Sequence, residues 1–510
     1  MAEANGLAHC WPEKALETLV LLGPEAMARA DRRTIEAGTP GIDLMERAGR
    51  AVVRALRGRW SPRPVLVLCG PGQNGGDGWV IARLLEAAGW PVTLASDWPA
   101  RKVSGDASIA AERAGINPRP LSEVVPSAVP PLVVDALFGA GLSRPVEGSA
   151  AAALKACAAA GAEMVAVDLP SGLDGQTGAV KGMMVPAELT VTFHRLKPGH
   201  LIGEGPAACG ALHCAEIGIL PDHLDIDGVR NHPSLWRENL PYPPQAAHKY
   251  ARGGVAIVGG PRHQSGAARL SAQATARAGA GAVTVFARPS AIDVYAAHLT
   301  AIMTQTDSAL SDALATSKIG AVVIGPGLDQ DDAARAQLNT VIEGGKPTVF
   351  DADALTLNED DPAAFFARLP ENAVLTPHEG EFARLFPGLS GDPVSRAVAA
   401  AERCGRVVLL KGATSVIAGP GQVPVLNAHA TSWLATAGAG DTLAGIIAAL
   451  MAQGLSPMAA AAAGAWLHGE AARQVGPGLT ADDLSDAIPG AINAADQRSQ
   501  MRIATRRVLL

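Results

Sequence analysis

Short unbroken apolar runs alternate along this chain with stretches whose apolar residues recur every three or four positions. The runs at 65–69, 132–134 and 164–167 carry no polar break, the first stops at Gly70, and 189–193 is a further strand candidate. Runs of that length without alternation predict strands covered on both faces, as in a parallel sheet. Helical spacing from about Pro24 carries Met27, Ile35, Leu44 and Met45, and a helix at 79–88 puts Val80, Ile81, Leu84 and Leu85 on one face. From Gly218 to Ala247 the pattern lapses into Pro221, Pro233, Pro241, Pro243 and Pro244 among acids and Asn, which predicts a joint between domains. Alternation then resumes, with strands expected at 255–258, 283–287, 321–324, 348–350, 373–375 and 407–410 and an Ala-rich helix at 266–280. After Asp441, the residues Leu443, Ile446, Ile447, Leu450 and Met451 keep helical spacing up to Gly454. A further helix has Ser456 as N-cap and Pro457 in its first position, and His468 inside it reads as structural.

Strands alternating with helices on both sides of a joint predict an α/β chain of two domains, since 510 residues exceed one ordinary domain. Composition narrows this further. Aromatics are only 4% against 48% hydrophobic residues, which favours small-residue packing in α/β layers over a β-sandwich. A net charge of −7, with no basic stretch, argues against nucleic acid and against a membrane surface. The most apolar window, 458–467, is too short and too Ala-rich to span a bilayer. The first twenty residues carry acids and no long apolar core, so no signal peptide is read there. Cys10, Cys69, Cys157, Cys209, Cys214 and Cys404 lack metal-ligand spacing, and free thiols in a cytoplasmic protein are expected.

The candidate chemistry lies where strands end. GPGQNGGDG follows the first strand but matches neither a Walker A loop nor a G-x-G-x-x-G turn, so a tight turn and a phosphate cradle stay equally open. Asp135, Asp168 with Ser171, and Lys197 each follow a later strand. In open parallel sheets such loops gather into one crevice. Taken singly, Asp168 reads as a turn former before Pro170 and Lys197 as a solvated surface charge; their shared position at strand ends argues for one cavity. GPGQNGGDGWVIARLL, VDALFGAGLSR, VDLPSGLDGQTG and TFHRLKPGH, in that order, resemble the NAD(P)H-hydrate epimerase family, with Gln73 where that family usually has Asn. The resemblance implies a Rossmann-like αβα sandwich and a potassium site on Asn74, Asp135 and Ser171. It implies substrate contacts from Gln73, Asn74, Gly75, Gly76 and Asp77, from Gly139, Ala140, Gly141, Leu142, Ser143, Arg144 and Pro145, and from Asp168. Lys197 lies in a matching motif and is a second-tier catalytic candidate. Asp135 or Asp168 suits the acid/base role that inversion at a hydroxyl-bearing carbon requires.

In the second half, LATAGAGDTLAGIIAAL crowds glycines before a lone acid at a helix start. Backbone N–H groups there form an anion hole, and the helix dipole leads one to expect an ionised Asp441. An N-cap carboxylate without chemistry is the plain alternative, which the crowded glycines weaken. HKYARGGVAIVGG, SGAARLSAQATARAGAG, VVIGPGL, VFDADAL, LTPHEGEFARL, VVLLKGATSVI and the GAGD helix resemble, in order, the ADP-dependent NAD(P)H-hydrate dehydratase family, which is ribokinase-like. The resemblance implies hydrated-nicotinamide contacts from Ala267, Gly327, His378 and Asp441. It implies adenine-nucleotide contacts from Lys411, Gly412, Ala413, Thr414, Ser415 and Gly440, with Asp441 on the reacting hydroxyl. Glu379 and Glu381 are close enough in sequence to help place Mg²⁺, a solvated turn being the even alternative.

Together these readings predict a bifunctional repair enzyme for NADHX and NADPHX that uses ADP, K⁺ in the first domain and Mg²⁺ in the second. The expected divisions are a leader at 1–22, an epimerase domain at 23–222, a linker at 223–246, a dehydratase domain at 247–495 and a tail at 496–510. A homo-oligomer is expected. The rival reading is a ribokinase-like small-alcohol kinase with a non-catalytic N-terminal binding module; inorganic phosphate as product would exclude it, and a lasting phosphoester would favour it.

Overall fold

The computed structural model describes residues 11–98, 104–221, 226–240 and 248–508. They fall into two compact units, one of residues 17–228 and one of residues 229–508 with residues 11–16.

In the first unit six strands form one parallel sheet, in the order Val92–Ala95, Val65–Cys69, Leu132–Ala136, Glu163–Val167, Leu189–Phe193, Ala211–Ala215. The four central strands are those expected from the sequence. The two edge strands escaped that reading, because Ala211–Ala215 is largely exposed and Val92–Ala95 half so. An edge strand buries little and so carries a weaker apolar signal. Helices Pro24–Glu36, Gly41–Arg59, Gln73–Ala87 and Asp106–Ala114 pack on one face around Val67, Val134 and Val191. Gly148–Ala159 packs on the other face around Leu66, Val133 and Met164. Just before the expected start of this domain, Leu19–Leu22 are fully buried, and Leu21 bridges to Leu196. The chain reverses its direction of sheet growth between Val65–Cys69 and Leu132–Ala136. Such a switch point leaves a crevice beyond the carboxyl ends of the two strands.

The helix after the first strand begins at Gln73, six residues earlier than its apolar face suggested. The glycines of NGGDG therefore do not loosen a loop; they let a helix lie against the sheet. A Cβ on Gly75 would collide with the Gly70 carbonyl, and one on Gly78 would lie 2.7 Å from both the Ala136 Cβ and the Cys69 Sγ.

In the second unit the parallel strands run Met303–Thr306, Ala282–Ala287, Gly254–Val258, Ala321–Ile324, Thr348–Phe350, Ala373–Leu375, Val407–Leu410. Ser415–Ala418 and Val425–Asn427 extend them as an antiparallel hairpin. The switch point lies between Gly254–Val258 and Ala321–Ile324. Helices Ser265–Arg277 and Ala439–Ala452 cross so closely that a Cβ on Gly445 would collide with the Ser271 carbonyl oxygen. Ser456 caps the helix Pro457–Val475 by accepting from the Ala459 N–H at 3.3 Å, with Pro457 in the first turn, as expected. Among the described residues, no helix is long and apolar enough to cross a membrane.

Gly445→Ala should cost roughly 1–3 kcal/mol by urea unfolding, because backbone must shift to admit the methyl group. Gly266→Ala, with nothing within 4 Å of the new Cβ, should be neutral or slightly stabilising. Equal effects of the two would contradict the close helix crossing.

Candidate active sites

In the first unit the strand ends converge on Asp168. This residue holds a left-handed backbone, with φ 65, directly after Glu163–Val167. Its Oδ1 accepts from Lys197 Nζ at 2.6 Å and from Thr192 Oγ1 at 2.8 Å, and its Oδ2 accepts from the Ala140 N–H at 3.0 Å. Lys197 is no surface charge: its side chain is 2% exposed, and it also donates to Thr192. His200 locks the pair. Its Nδ1 accepts from the Lys197 N–H at 2.9 Å, so the tautomer with Nε2–H donates to the Asp168 carbonyl at 2.8 Å. Burial alone would raise the Asp168 pKa, but the adjoining Lys197 ammonium overrides it and brings the carboxyl down to about 2.

Asp135 is a different kind of group. It is 1% exposed, and both its oxygens are engaged, by the Ser171 hydroxyl at 2.6 Å, the Ser171 N–H at 2.8 Å and the Leu137 N–H at 3.2 Å. Burial raises its pKa, and the Ser171 hydrogen bonds oppose that rise. Ser171 accepts in turn from the Phe138 N–H at 2.9 Å. Asn74, with its amide oriented to satisfy both ends, donates to the Val167 carbonyl at 3.1 Å and accepts from the Gly139 N–H at 3.3 Å. A Cβ on Gly139 would lie 3.0 Å from the Asn74 side-chain amide and from Asp168 Oδ2. Asn74, Asp135, Ser171 and Asp168 thus meet along the segment Phe138–Gly139. Their donor set is oxygen alone, which suits a hard monovalent cation. Gly141, Ser143, Arg144 and Pro145 are exposed at the mouth, with Gln73 opening the helix beside them.

Asp77 lies buried one turn into that helix. Burial, then the charges of Asp168 and Asp31, push its carboxyl well above the usual range. Asp31, on Pro24–Glu36, is raised by the same causes, burial first, against the lowering effect of Lys197. Neither Asp31 nor His200 was singled out from the sequence. His200 stands in a quoted motif; Asp31 has no strand-end signal at all.

In the second unit the centre is Lys411. It follows Val407–Leu410, its N–H donates to the Pro377 carbonyl, and it bridges to His378. Its Nζ donates to Asp351 Oδ1 at 2.7 Å and stands 4.0 Å from Glu381 Oε2. So the lysine is not a loose charge awaiting phosphate but is already paired with a buried carboxylate. Asp351 and Asp353, in the quoted VFDADAL segment, went unassigned by the sequence reading. Gly325 is what brings Asp351 in, since a Cβ there would collide with the Asp351 carbonyl. Asp353 Oδ2 accepts from the Asp329 N–H at 3.0 Å.

Asp441 is the third residue of Ala439–Ala452, whose N-cap is Gly438 with φ 88. It is therefore not a capping carboxylate. No hydrogen bond reaches its carboxylate among the described residues, and the amides of Gly440 and Asp441 are likewise unpaired. The Asp441 carbonyl accepts from Ser271 Oγ at 2.8 Å, which ties it to Ser265–Arg277. The expectation of a fully ionised acid needs correction. Burial first, then Asp351, with Asp353 and Glu381 adding to it and Lys411 opposing, lifts Asp441 to about 7. A helix dipole is worth less than three nearby carboxylates in a partly desolvated site.

His378 caps the helix Glu379–Leu385. Its Nδ1 accepts from the Gly380 N–H at 2.9 Å, and Glu381 accepts from the His378 N–H at 2.8 Å. The ring is still 57% exposed and open to a ligand. Glu379 and Glu381 part company: Glu379 makes a two-pronged pair with Arg396, while Glu381 is buried beside Lys411. Ala267 and Gly327 come together, a Cβ on Gly327 lying 3.2 Å from that of Ala267. Gly412 and Ala413 are exposed, with Thr414 and Ser415 half-buried beyond them.

Two open α/β crevices, one of them with a carboxylate and free helix amides beside a half-buried lysine, define an enzyme with an anion-handling site in its second unit. Comparison with known proteins gives the family. Residues 41–199 match the model described as YjeF-related protein N-terminus, and residues 255–490 the model described as NAD(P)H-hydrate dehydratase. The bifunctional NAD(P)H-hydrate repair enzyme of Coxiella burnetii is 35% identical over 486 residues, covering 91% of this chain and 98% of that protein. That of Escherichia coli K12 is 36% identical over 487 residues, covering 91% and 92%. Among solved structures, the ADP/ATP-dependent NAD(P)H-hydrate dehydratase of Bacillus subtilis is 25% identical, with a TM-score of 0.45, covering 53% of this chain and 99% of that one. The chain belongs to the bifunctional NAD(P)H-hydrate repair enzyme family.

Two stability measurements probe these charges. Asp168, depressed when folded, stabilises the protein above the ordinary carboxylate pKa, and that contribution is lost as pH falls from about 4 through 2. Asp168→Asn should flatten acid unfolding in that window, removing about 2 kcal/mol of pH-dependent stability. Asp441, raised when folded, has the opposite sign: stability falls as pH rises from about 4 to about 7. Asp441→Asn should therefore raise the midpoint of urea unfolding more at pH 8 than at pH 4. Equal shifts at both pH values would contradict a raised carboxyl.

Proposed function

We propose that this enzyme repairs NADHX and NADPHX, interconverting their R and S epimers in the first unit and dehydrating the S epimer with ADP in the second. The observation that carries the reading is the unbonded Asp441 carboxylate beside free helix amides and Lys411. With an apparent pKa near neutrality it takes a proton efficiently from the ring hydroxyl. The hydroxyl oxygen then attacks the terminal phosphorus of ADP, and AMP departs. The Gly440 and Asp441 amides and Lys411 hold the charge on the transferring group. Phosphate leaves far more easily than hydroxide. The ring nitrogen expels it, and loss of the neighbouring ring proton restores the dihydronicotinamide. Ala267, Gly327 and His378 form the wall for the hydrated ring, and Lys411–Ser415 the cradle for the nucleotide. Asp351, Asp353, Glu381 and Asp441 stand against one lysine, a surplus of negative charge that suits Mg²⁺ arriving with the phosphates. Bound there, Mg²⁺ would neutralise phosphate charge.

In the first unit, Asp77, whose carboxyl burial pushes well above the usual range, assists departure of the ring hydroxyl as water. Ionised Asp168, fixed by Lys197, balances the cationic ring until water returns on the other face. Asn74, Asp135 and Ser171 would hold K⁺, which supplies charge that anchors the Phe138–Gly139 segment. We place these activities in domains at 23–222 and 247–495, joined at 223–246. The buried thiols of Cys69, Cys157, Cys209 and Cys404 support a cytoplasmic setting.

The full chain with hydrated cofactor, ADP, Mg²⁺ and K⁺ should regain dihydronicotinamide absorbance and release inorganic phosphate. Its kcat/KM should rise with pH through an apparent pKa near 7, as the base ionises. Asp441→Asn should abolish recovery while epimer exchange persists. Asp77→Asn should suppress exchange and leave one epimer unprocessed. Full recovery by Asp441→Asn, or a stable phosphoester product, would overturn the reading.

A further inference from the structure

Of the eight tryptophans, Trp433 alone is exposed, at 46%, whereas the others are buried or half-buried. It makes no ring or cation contact among the described residues. A single exposed indole needs no explanation in general. Its place in the chain gives this one a reason. The sheet pairing sets Leu410 opposite Val416 and Ser415 opposite Asn427. Lys411, Ser415 and Asn427 therefore leave the sheet at one level, on the carboxyl edge. From Asn427 the chain runs through the short 3₁₀ turn Ser432–Leu434 to the N-cap Gly438. It then returns to the lysine, since a Cβ on Gly440 would lie 3.4 Å from Lys411 Nζ. The segment that carries Trp433 thus starts two strands from Val407–Leu410, at the same sheet edge as Lys411, and ends beside the lysine Nζ. The turn itself is fixed at its start, where Thr431 Oγ1 accepts from the Trp433 N–H at 3.4 Å.

We propose that Trp433 is the stacking platform for the adenine ring of the nucleotide bound at Lys411–Ser415. This rests on the reading of that loop as a nucleotide site. The loop itself offers hydroxyls, a lysine and exposed small residues, all suited to phosphate and ribose, but no aromatic or apolar face for a base. An indole held nearby on a rigid turn supplies that face with little ordering cost. Base–aromatic stacking removed by alanine substitution is worth about tenfold in affinity or somewhat more. The specificity follows from the chemistry: a nucleotide gains from the indole, and a bare phosphate chain does not.

Calorimetric titration of the full-length protein with ADP and with inorganic diphosphate, for wild type, Trp433→Ala and Trp433→Phe, tests this. Trp433→Ala should weaken ADP about tenfold while diphosphate binding stays unchanged. Trp433→Phe should keep most of the ADP affinity, because a ring remains. Adding ADP to the wild type should also quench the exposed indole's fluorescence, a change absent from Trp433→Phe. Unchanged ADP affinity in Trp433→Ala overturns the proposal and leaves the nucleotide site standing. Equal weakening of ADP and diphosphate also overturns it, since the turn would then shape the loop rather than stack a base. A wild type that binds no ADP overturns the nucleotide reading and the stacking with it.

Discussion

One lysine surrounded by more carboxylates than it can neutralise sets the character of the second site. Lys411 pairs with Asp351 at 2.7 Å, while Glu381, Asp353 and Asp441 add negative charge around it. A helix N-terminus by itself would keep Asp441 ionised and weakly basic. Burial, and then the crowded carboxylates, reverse that and give a group whose proton affinity suits the pH at which it works. The same surplus costs stability in the folded protein, as expected of a site held in a strained charge state for function. It also makes the site ready for positively charged company brought by the nucleotide.

The first unit solves a related problem with the opposite arrangement. There the carboxylate on the strand end, Asp168, is saturated by Lys197, Thr192 and a backbone amide, and is held ionised. Asp77, on the neighbouring helix, is instead pushed well above the usual range by burial. Two carboxylates whose surroundings push them apart are what acid and stabiliser roles require in one pocket. Backbone proximity enables this: the glycines of NGGDG bring a helix to the sheet, so that Asp77 and Asn74 reach the strand ends.

Much of this was legible in the sequence because burial on two faces leaves unbroken apolar runs. Every central strand expected from such a run is present, within two residues at its ends. The strands that escaped notice are edge or hairpin strands, such as Met303–Thr306, whose residues alternate between exposed and half-buried. Strand-end acids were legible as candidates, since position after a strand is a local signal. Their protonation was not, because it depends on residues far apart in sequence. Asp351 and Asp441 are the clearest case: Asp441 was singled out as an ionised acid and Asp351 was not assigned at all, and only the folded sheet brings the two charges together. The start of the Gln73 helix was misplaced for a similar reason, as glycine suggests a loop unless the opposing backbone is known.

The most direct measurement is the titration of the Asp441 carboxyl itself. ¹³C-carboxyl NMR of the ligand-free protein, with Asp441→Asn to assign the signal, should show one aspartate titrating near pH 7. A signal that instead titrates in the ordinary carboxylate range, near 4, would show that the surrounding acids do not raise it, and the account of its basicity would fail.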